Sequence, residues 1–248
     1  MAGSSVLFMA LARFKKLCID ANDPSRLGAF WAAVLGVTWT PYDNGEGLVS
    51  GPEPHPRIWV NRVPEPNSAK HRVHLDVYTT DLARLEALGS RILLPEGDGR
   101  RWTVMADPEG GEYCAFLRTD LPERRLHGLV VDSADPPAQA RWWAEVYGAR
   151  VVHDNSGFST VMDVPGMAIE TMDFNLVPEP RTVKNRIHWD VSVADVNLLV
   201  DAGATVLRPP GDDTAWYVMA DPEGNEFCAF IDPRGGPAVS RQPSRHVS

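Results

Sequence analysis

The chain has 248 residues, a formal net charge of −9 and 44% hydrophobic residues, with 3 cysteines. That is apolar material enough for one large domain or two of ordinary size. The acidic balance argues against a nucleic-acid backbone or an anionic membrane surface as a main partner, because both select basic patches.

In chain order, "MAGSSVLFMALARFKK" opens with an apolar run too short for a secretory signal, and no basic residue precedes it. Met9 is an alternative start to Met1, and residues 1–12 are expected to be loose. "KKLCIDA" (15–21) is a predicted strand. Asp23 can cap a helix that starts at Pro24 and stops at Gly36. Leu27, Phe30, Trp31, Val34 and Leu35 share one face of it. Short strands follow at 37–42, 46–50 and 57–63, then a strand at 71–77, then a helix from Asp81 to Leu88 stopped by Gly89. Three more short strands follow, the last two at 101–106 and 111–117. The chain then starts again. A linker is expected at 119–125, a second copy at 126–233 and a Pro/Gly/Ser-rich disordered tail at 234–248. No apolar run reaches the length of a membrane span. Three scattered cysteines form no disulfide framework and fit a reducing cytoplasm.

The duplication is explicit. "DPSRLGAFWAAVLG" (23–36) is answered by "DPPAQARWWAEVYG" (135–148), and "VPEPNSAKHRVHLDV" (63–77) by "VPEPRTVKNRIHWDV" (177–191). "ADPEGGEYCAF" (106–116) returns as "ADPEGNEFCAF" (220–230). A period this long is that of a duplicated domain, 13–118 and 126–233, not of a solenoid. "DPEG" itself reads as a hairpin corner, with Asp, Pro and Gly at their type I turn positions.

Side chains alternate across a strand. Arg72, His74 and Asp76 therefore share a face, as do Arg186, His188 and Asp190. Glu112, Cys114 and Phe116 share another, repeated by Glu226, Cys228 and Phe230. Lys16, Cys18 and Asp20 add a third set. Such rows either face bulk water or, if the sheet curls, line a cavity. His74 and His188 read as general acid/base groups or as cavity histidines that fix the sheet. Cys114 and Cys228 read as nucleophiles or small core residues. Trp59, Trp102 and Trp216 read as stacking walls or core. Arg72 and Arg186 read as anion clamps or as partners of nearby carboxylates.

The paired strand-helix-strand-strand-strand units, with "VPEP…KNRxHxD" followed by "DPEGNEFC", resemble the vicinal oxygen chelate superfamily of glyoxalase I, extradiol dioxygenases and bleomycin-resistance proteins. The resemblance implies an α+β fold of tandem glyoxalase-like domains. Each domain would be two βαβββ modules in a curled, eight-stranded mixed sheet, with helices on the convex side. It implies that Arg72, His74, Asp76, Glu112 and Cys114 look into one concave pocket and Arg186, His188, Asp190, Glu226 and Cys228 into another, with Trp59, Trp102 and Trp216 as ligand contacts. Metal-dependent members hold a divalent ion by His and Glu on first and last strands. Here the last-strand Glu falls on Cys114 and Cys228, and the His falls near Arg72 and Arg186. A bound Zn, Ni, Mn or Fe therefore rests on His127, Glu170 and His188 as candidate ligands. The implied function is binding of a small organic molecule, with lyase or isomerase chemistry by proton transfer at His74 or His188. The alternative is metal-free sequestration of a drug or natural product. A cytoplasmic monomer or homodimer is expected, without nucleic-acid or membrane partners.

Overall fold

The computed structural model describes residues 10–153, 157–212 and 214–233. The expected loose start at 1–9 and the tail at 234–248 lie outside these residues. Residues 10–12 are not loose: Leu11 N donates to Val146 O at 2.8 Å, and Ala12 is buried at the start of the first strand.

Four βαβββ modules follow one another. The first comprises β1 (Ala12–Ala21), α1 (Pro24–Leu35), β2 (Thr38–Pro41), β3 (Gly47–Ser50) and β4 (Ile58–Arg62). The second comprises β5 (Val73–Thr79), α2 (Leu82–Ala87), β6 (Arg91–Leu94), β7 (Thr103–Ala106) and β8 (Glu112–Leu117). The third comprises β9 (Leu126–Ser133), α3 (Pro136–Tyr147), β10 (Arg150–His153), β11 (Phe158–Met162) and β12 (Thr171–Leu176). The fourth comprises β13 (Ile187–Val193), α4 (Asn197–Asp201), β14 (Thr205–Arg208), β15 (Tyr217–Ala220) and β16 (Glu226–Ile231). The caps of α1 are those expected: Asp23 accepts from Arg26 N, and Gly36 takes the left-handed conformation at φ 73°. No described helix is long and apolar enough to cross a membrane.

Two eight-stranded mixed sheets form, each from two modules, but not from the two modules of one repeat. Sheet I runs β14-β15-β16-β13-β1-β4-β3-β2 and joins modules four and one; sheet II runs β10-β11-β12-β9-β5-β8-β7-β6 and joins modules three and two. The central pairs, β1 with β13 and β5 with β9, are antiparallel. The physical reason lies in the helices. Within each repeat the two modules meet through aromatic side chains: Phe30 and Trp31 of α1 pack edge-on against Tyr113 of β8. Trp143 of α3 packs in the same way on Trp189 and Phe227 of module four. With the helix side used inside the repeat, the strand edges are left to pair with the other repeat. One chain thus supplies both modules of each sheet.

The repeated "DPEG" corner is what fastens the modules. Asp107 Oδ1 accepts from Glu109 N and Gly111 N at 2.9 and 2.8 Å, closing the turn. Glu109 then reaches from module two to the start of α1, accepting from Asn22 N and Asp23 N at 2.9 and 2.6 Å. Glu223 does the same for α3, accepting from Ser133 Oγ, Ala134 N and Asp135 N at 2.9, 3.1 and 2.8 Å. Truncating Glu223 to Ala strands these donors. It is expected to cost about 1–3 kcal/mol, read as a lower urea midpoint at constant slope; an unchanged midpoint would contradict the fastening role.

Candidate functional site

The centre of each sheet carries one β-bulge. In sheet I, Phe14 pairs with Val191 and Lys16 with Asp190, so Lys15 is the extra residue. In sheet II, Leu126 pairs with Val77 and Gly128 with Asp76, so His127 is the extra residue. A bulge re-aims a side chain that strict alternation would send to the other face. Lys15 Nζ accordingly lies 3.5 Å from the centre of the Phe230 ring, and the His127 ring lies edge-on to Phe116 at 5.6 Å. The two sheets therefore present different dipeptides at the same place: Lys15-Lys16 in sheet I and His127-Gly128 in sheet II.

Sheet II brings together three groups that the strand pattern placed on one face. His74, Asp76 and Cys114 offer donor atoms that all lie within 4.8 Å of one another. His74 Nε2 is 3.4 Å from Asp76 Oδ1 and 3.6 Å from Cys114 Sγ. Asp76 Oδ1 is buried yet has no aligned hydrogen bond. Burial, and then the Asp76 carboxylate, push the Cys114 thiol far up. Beside this group, His127 Nδ1 is 2.9 Å from Glu170 Oε2 and 2.8 Å from the Tyr78 hydroxyl. Tyr78 stacks on the imidazole at 4.7 Å and donates to Glu170 at 3.4 Å. Burial and the Glu170 carboxylate keep this phenol protonated. Trp102 and Phe116, 5.6 Å apart, form an aromatic wall. Gly128 keeps the floor open: a Cβ there would stand 3.2 Å from Asp173 Oδ2 and 3.3 Å from Asp76 Cβ. Burial raises the Asp173 carboxyl, although Thr160 and Thr171 hydroxyls donate to it at 2.6 and 2.5 Å.

Sheet I holds the matching triplet Cys18, His188 and Asp190. Its geometry is closed. Cys18 Sγ donates to Asp190 Oδ1 at 3.5 Å, and the Lys16 ammonium sits 3.4 Å from Asp190 Oδ2. The same ammonium lies 4.7 Å over the Trp59 ring. Burial holds the His188 imidazole neutral. These residues do not fit a divalent cation, because a fixed positive charge already stands on the carboxylate donor.

Several expectations change because the modules pair crosswise. His127 and Glu170 belong with His74 in sheet II, not with His188, so the three candidate metal ligands do not meet. Trp59 faces Lys16 in sheet I, away from the pocket expected of its own repeat. Arg72 does not pair with Asp76 or Glu112; it is held by Asp132 at 3.0 Å and donates across to Glu179 O. Arg186 donates to Glu65 O. Glu226 is taken by Arg181, and Glu112 acts on the Cys114 thiol. Trp216 stacks on Phe230 in sheet I. A cavity of about 990 Å³ does open between loops 63–72 and 179–186, but Lys70 and Arg72 are spent on Asp132 and Lys184 on Asp20. Tyr78, Asp173 and the role of Lys15 escaped the sequence reading. The offset between the copies contained the signal, since Lys15-Lys16 aligns with His127-Gly128 when "DPSR" is set on "DPPA".

The glyoxalase-like domain profile matches residues 16–116 and 128–230. Glyoxalase I from Zea mays is similar in fold, with a TM-score of 0.61 at 14% identity over 89% of this chain and 92% of that one. A putative dioxygenase from Bacillus subtilis has a TM-score of 0.61 at 16% identity, over 92% of this chain and 87% of that one. No curated relative matches the sequence. Two matches in tandem, each spanning two of the modules described above, show that the chain belongs to the glyoxalase-like domain family.

Proposed function

We propose that the chain binds a small oxygenated organic molecule on the concave face of sheet II and moves a proton on it, in the manner of a lyase or isomerase. The observation that carries this reading is the Glu170–His127 pair. Glu170 holds Nδ1, which leaves Nε2 as the imidazole's free nitrogen, with no protein partner among the described residues. A carboxylate on Nδ1 fixes the tautomer in which Nε2 carries the lone pair, the arrangement of a general base. Tyr78, stacked on the ring, holds its plane. The proton it suits is one on carbon beside a carbonyl. Trp102 and Phe116 exclude water from one side of such a substrate.

His74, Asp76 and Cys114 fit a divalent cation: imidazole, carboxylate and thiol suit zinc, and the buried Asp76 Oδ1 makes no aligned hydrogen bond. When bound, the cation would polarise substrate oxygens as a Lewis acid. The thiol must lose its proton to take part, so cation binding at this site releases a proton and weakens as pH falls. Three free cysteines fit a reducing cytoplasm for this chemistry. The same aromatic wall would also serve a protein that only sequesters a flat drug or natural product.

Exchange of α-protons into D2O, followed by proton NMR on a panel of α-hydroxy ketones and α-keto aldehydes with and without added Zn, Ni or Mn, separates the two readings. Catalysed exchange lost in His127→Asn and kept in His188→Asn supports proton transfer at sheet II. Ligand binding without any exchange would leave only sequestration.

A further inference from the structure

We propose that the concave face of sheet I is a second, metal-free binding site for a planar organic anion, seated between the Tyr42/Trp59 and Trp216/Phe230 aromatic pairs against the ammonium groups of Lys15 and Lys16. The position is the one at which sheet II presents His127 and Gly128. The bulge on β1 turns both lysines to one side, which ordinary alternation forbids. Lys15 Nζ rests 3.5 Å from the Phe230 ring centre and Lys16 Nζ 4.7 Å from that of Trp59. These rings stand on β16 and β4, the strands flanking the central β13 and β1.

The charges that could cancel the lysines are mostly spoken for. Asp20 is bound by Lys184 at 2.6 Å and by Asn61 at 3.2 Å. Glu226 is bound by Arg181. Burial keeps Cys18 and Cys228 protonated, the latter thiol being pushed up to about 12, and His188 neutral. Asp190 is paired with Lys16, and the Asp190 and Asp232 carboxylates also act on Lys15. Partial burial lowers the Lys15 ammonium, which rests on the Phe230 ring.

The shape selects flat ligands. Tyr42 and Trp59 stack at 5.1 Å with planes 23° apart, and Trp216 and Phe230 at 5.3 Å with planes 27° apart. Tyr42 remains 43% exposed, so this wall is open to solvent. An aromatic ring can slide against such walls while its carboxylate or phenolate meets the ammonium pair. This site does not depend on the chemistry proposed for sheet II.

The test uses the full chain, 4-nitrobenzoate as the anionic probe and 4-nitrobenzamide as its neutral counterpart, with quenching of tryptophan fluorescence as the readout. Saturable binding of the carboxylate at least tenfold tighter than the amide is expected. The double variant K15Q/K16Q is expected to lose that tenfold preference, and His127→Asn to keep it. Because removing Lys16 leaves Asp190 without its partner, Lys15→Gln alone is the second variant; its fold is undisturbed and a loss of at least threefold in carboxylate affinity is expected. Equal binding of carboxylate and amide, unchanged affinity in Lys15→Gln, or loss of binding in His127→Asn would overturn the proposal. The last variant also reads the sheet II chemistry separately through proton exchange, so the two ideas fail independently.

Discussion

Replacing His127 by Asn is expected to slow catalysed α-proton exchange by about 10²–10⁴-fold, the usual contribution of a positioned general base. An amide can still bond to Glu170, so the pocket should keep its shape. It has no basic nitrogen to take the proton. Substrate affinity should therefore change much less than the rate. Glu170→Gln leaves the imidazole in place but removes the negative charge 2.9 Å from Nδ1. It is expected to cost less than His127→Asn, because the base remains and only its orienting carboxylate is neutralised. His188→Asn should leave the rate unchanged, since that imidazole lies in the sheet closed by Lys16. Equal losses at His127 and His188, or none at His127, would contradict the assignment.

The second large effect concerns stability in acid. Both ring nitrogens of His71 are buried without hydrogen-bond partners, and burial, helped by the charges of Arg186 and His74, lowers this imidazole from 6.5 to about 4. Between those values the unfolded chain binds a proton that the folded chain refuses. Stability from this residue is therefore complete above pH 6.5 and is lost as pH falls toward 4. The shift corresponds to about 3 kcal/mol. Wild type should lose about that much more than His71→Leu between pH 7 and 4, by urea unfolding at each pH. Comparing the two pH values within each protein cancels any packing difference. Parallel pH dependence in the two proteins would contradict it. The repeat explains why the imidazole tolerates this place. In module four the matching positions hold Asn185 and Asn225, joined by a hydrogen bond of 3.2 Å. In module two they hold His71 and Gly111, and the ring takes the space: a Cβ on Gly111 would lie 2.6 Å from His71 Cε1.

Much of the fold was legible because local signals agreed with it. Asp23 and Gly36 bracket α1, and Trp31 and Trp143 are buried as their shared helix face implies. The alternation in "HRVHLDV" correctly sends Val73, Leu75 and Val77 to the core and places His74 and Asp76 together. What was not legible depends on contacts far apart in the chain. The strand pattern of β1 is equally compatible with pairing to β5 or to β13; the choice is made by Trp31 against Tyr113 and by Glu109 at the start of α1. From that choice follows the company each residue keeps: His127 with His74, and Trp59 with Lys16. The bulges were hidden for a different reason. Alternation assigns Lys15 and His127 to the buried side, and only the pairing register shows each as an extra residue.

Titration with Co(II) tests most directly the claim that the two sheets have diverged into an open site and a site closed by lysine. About one Co(II) per chain is expected, with a thiolate-to-metal absorption band that disappears in Cys114→Ser and persists in Cys18→Ser, the thiol of the sheet I triplet. Two ions per chain, no thiolate band, or a band lost only in Cys18→Ser would contradict it.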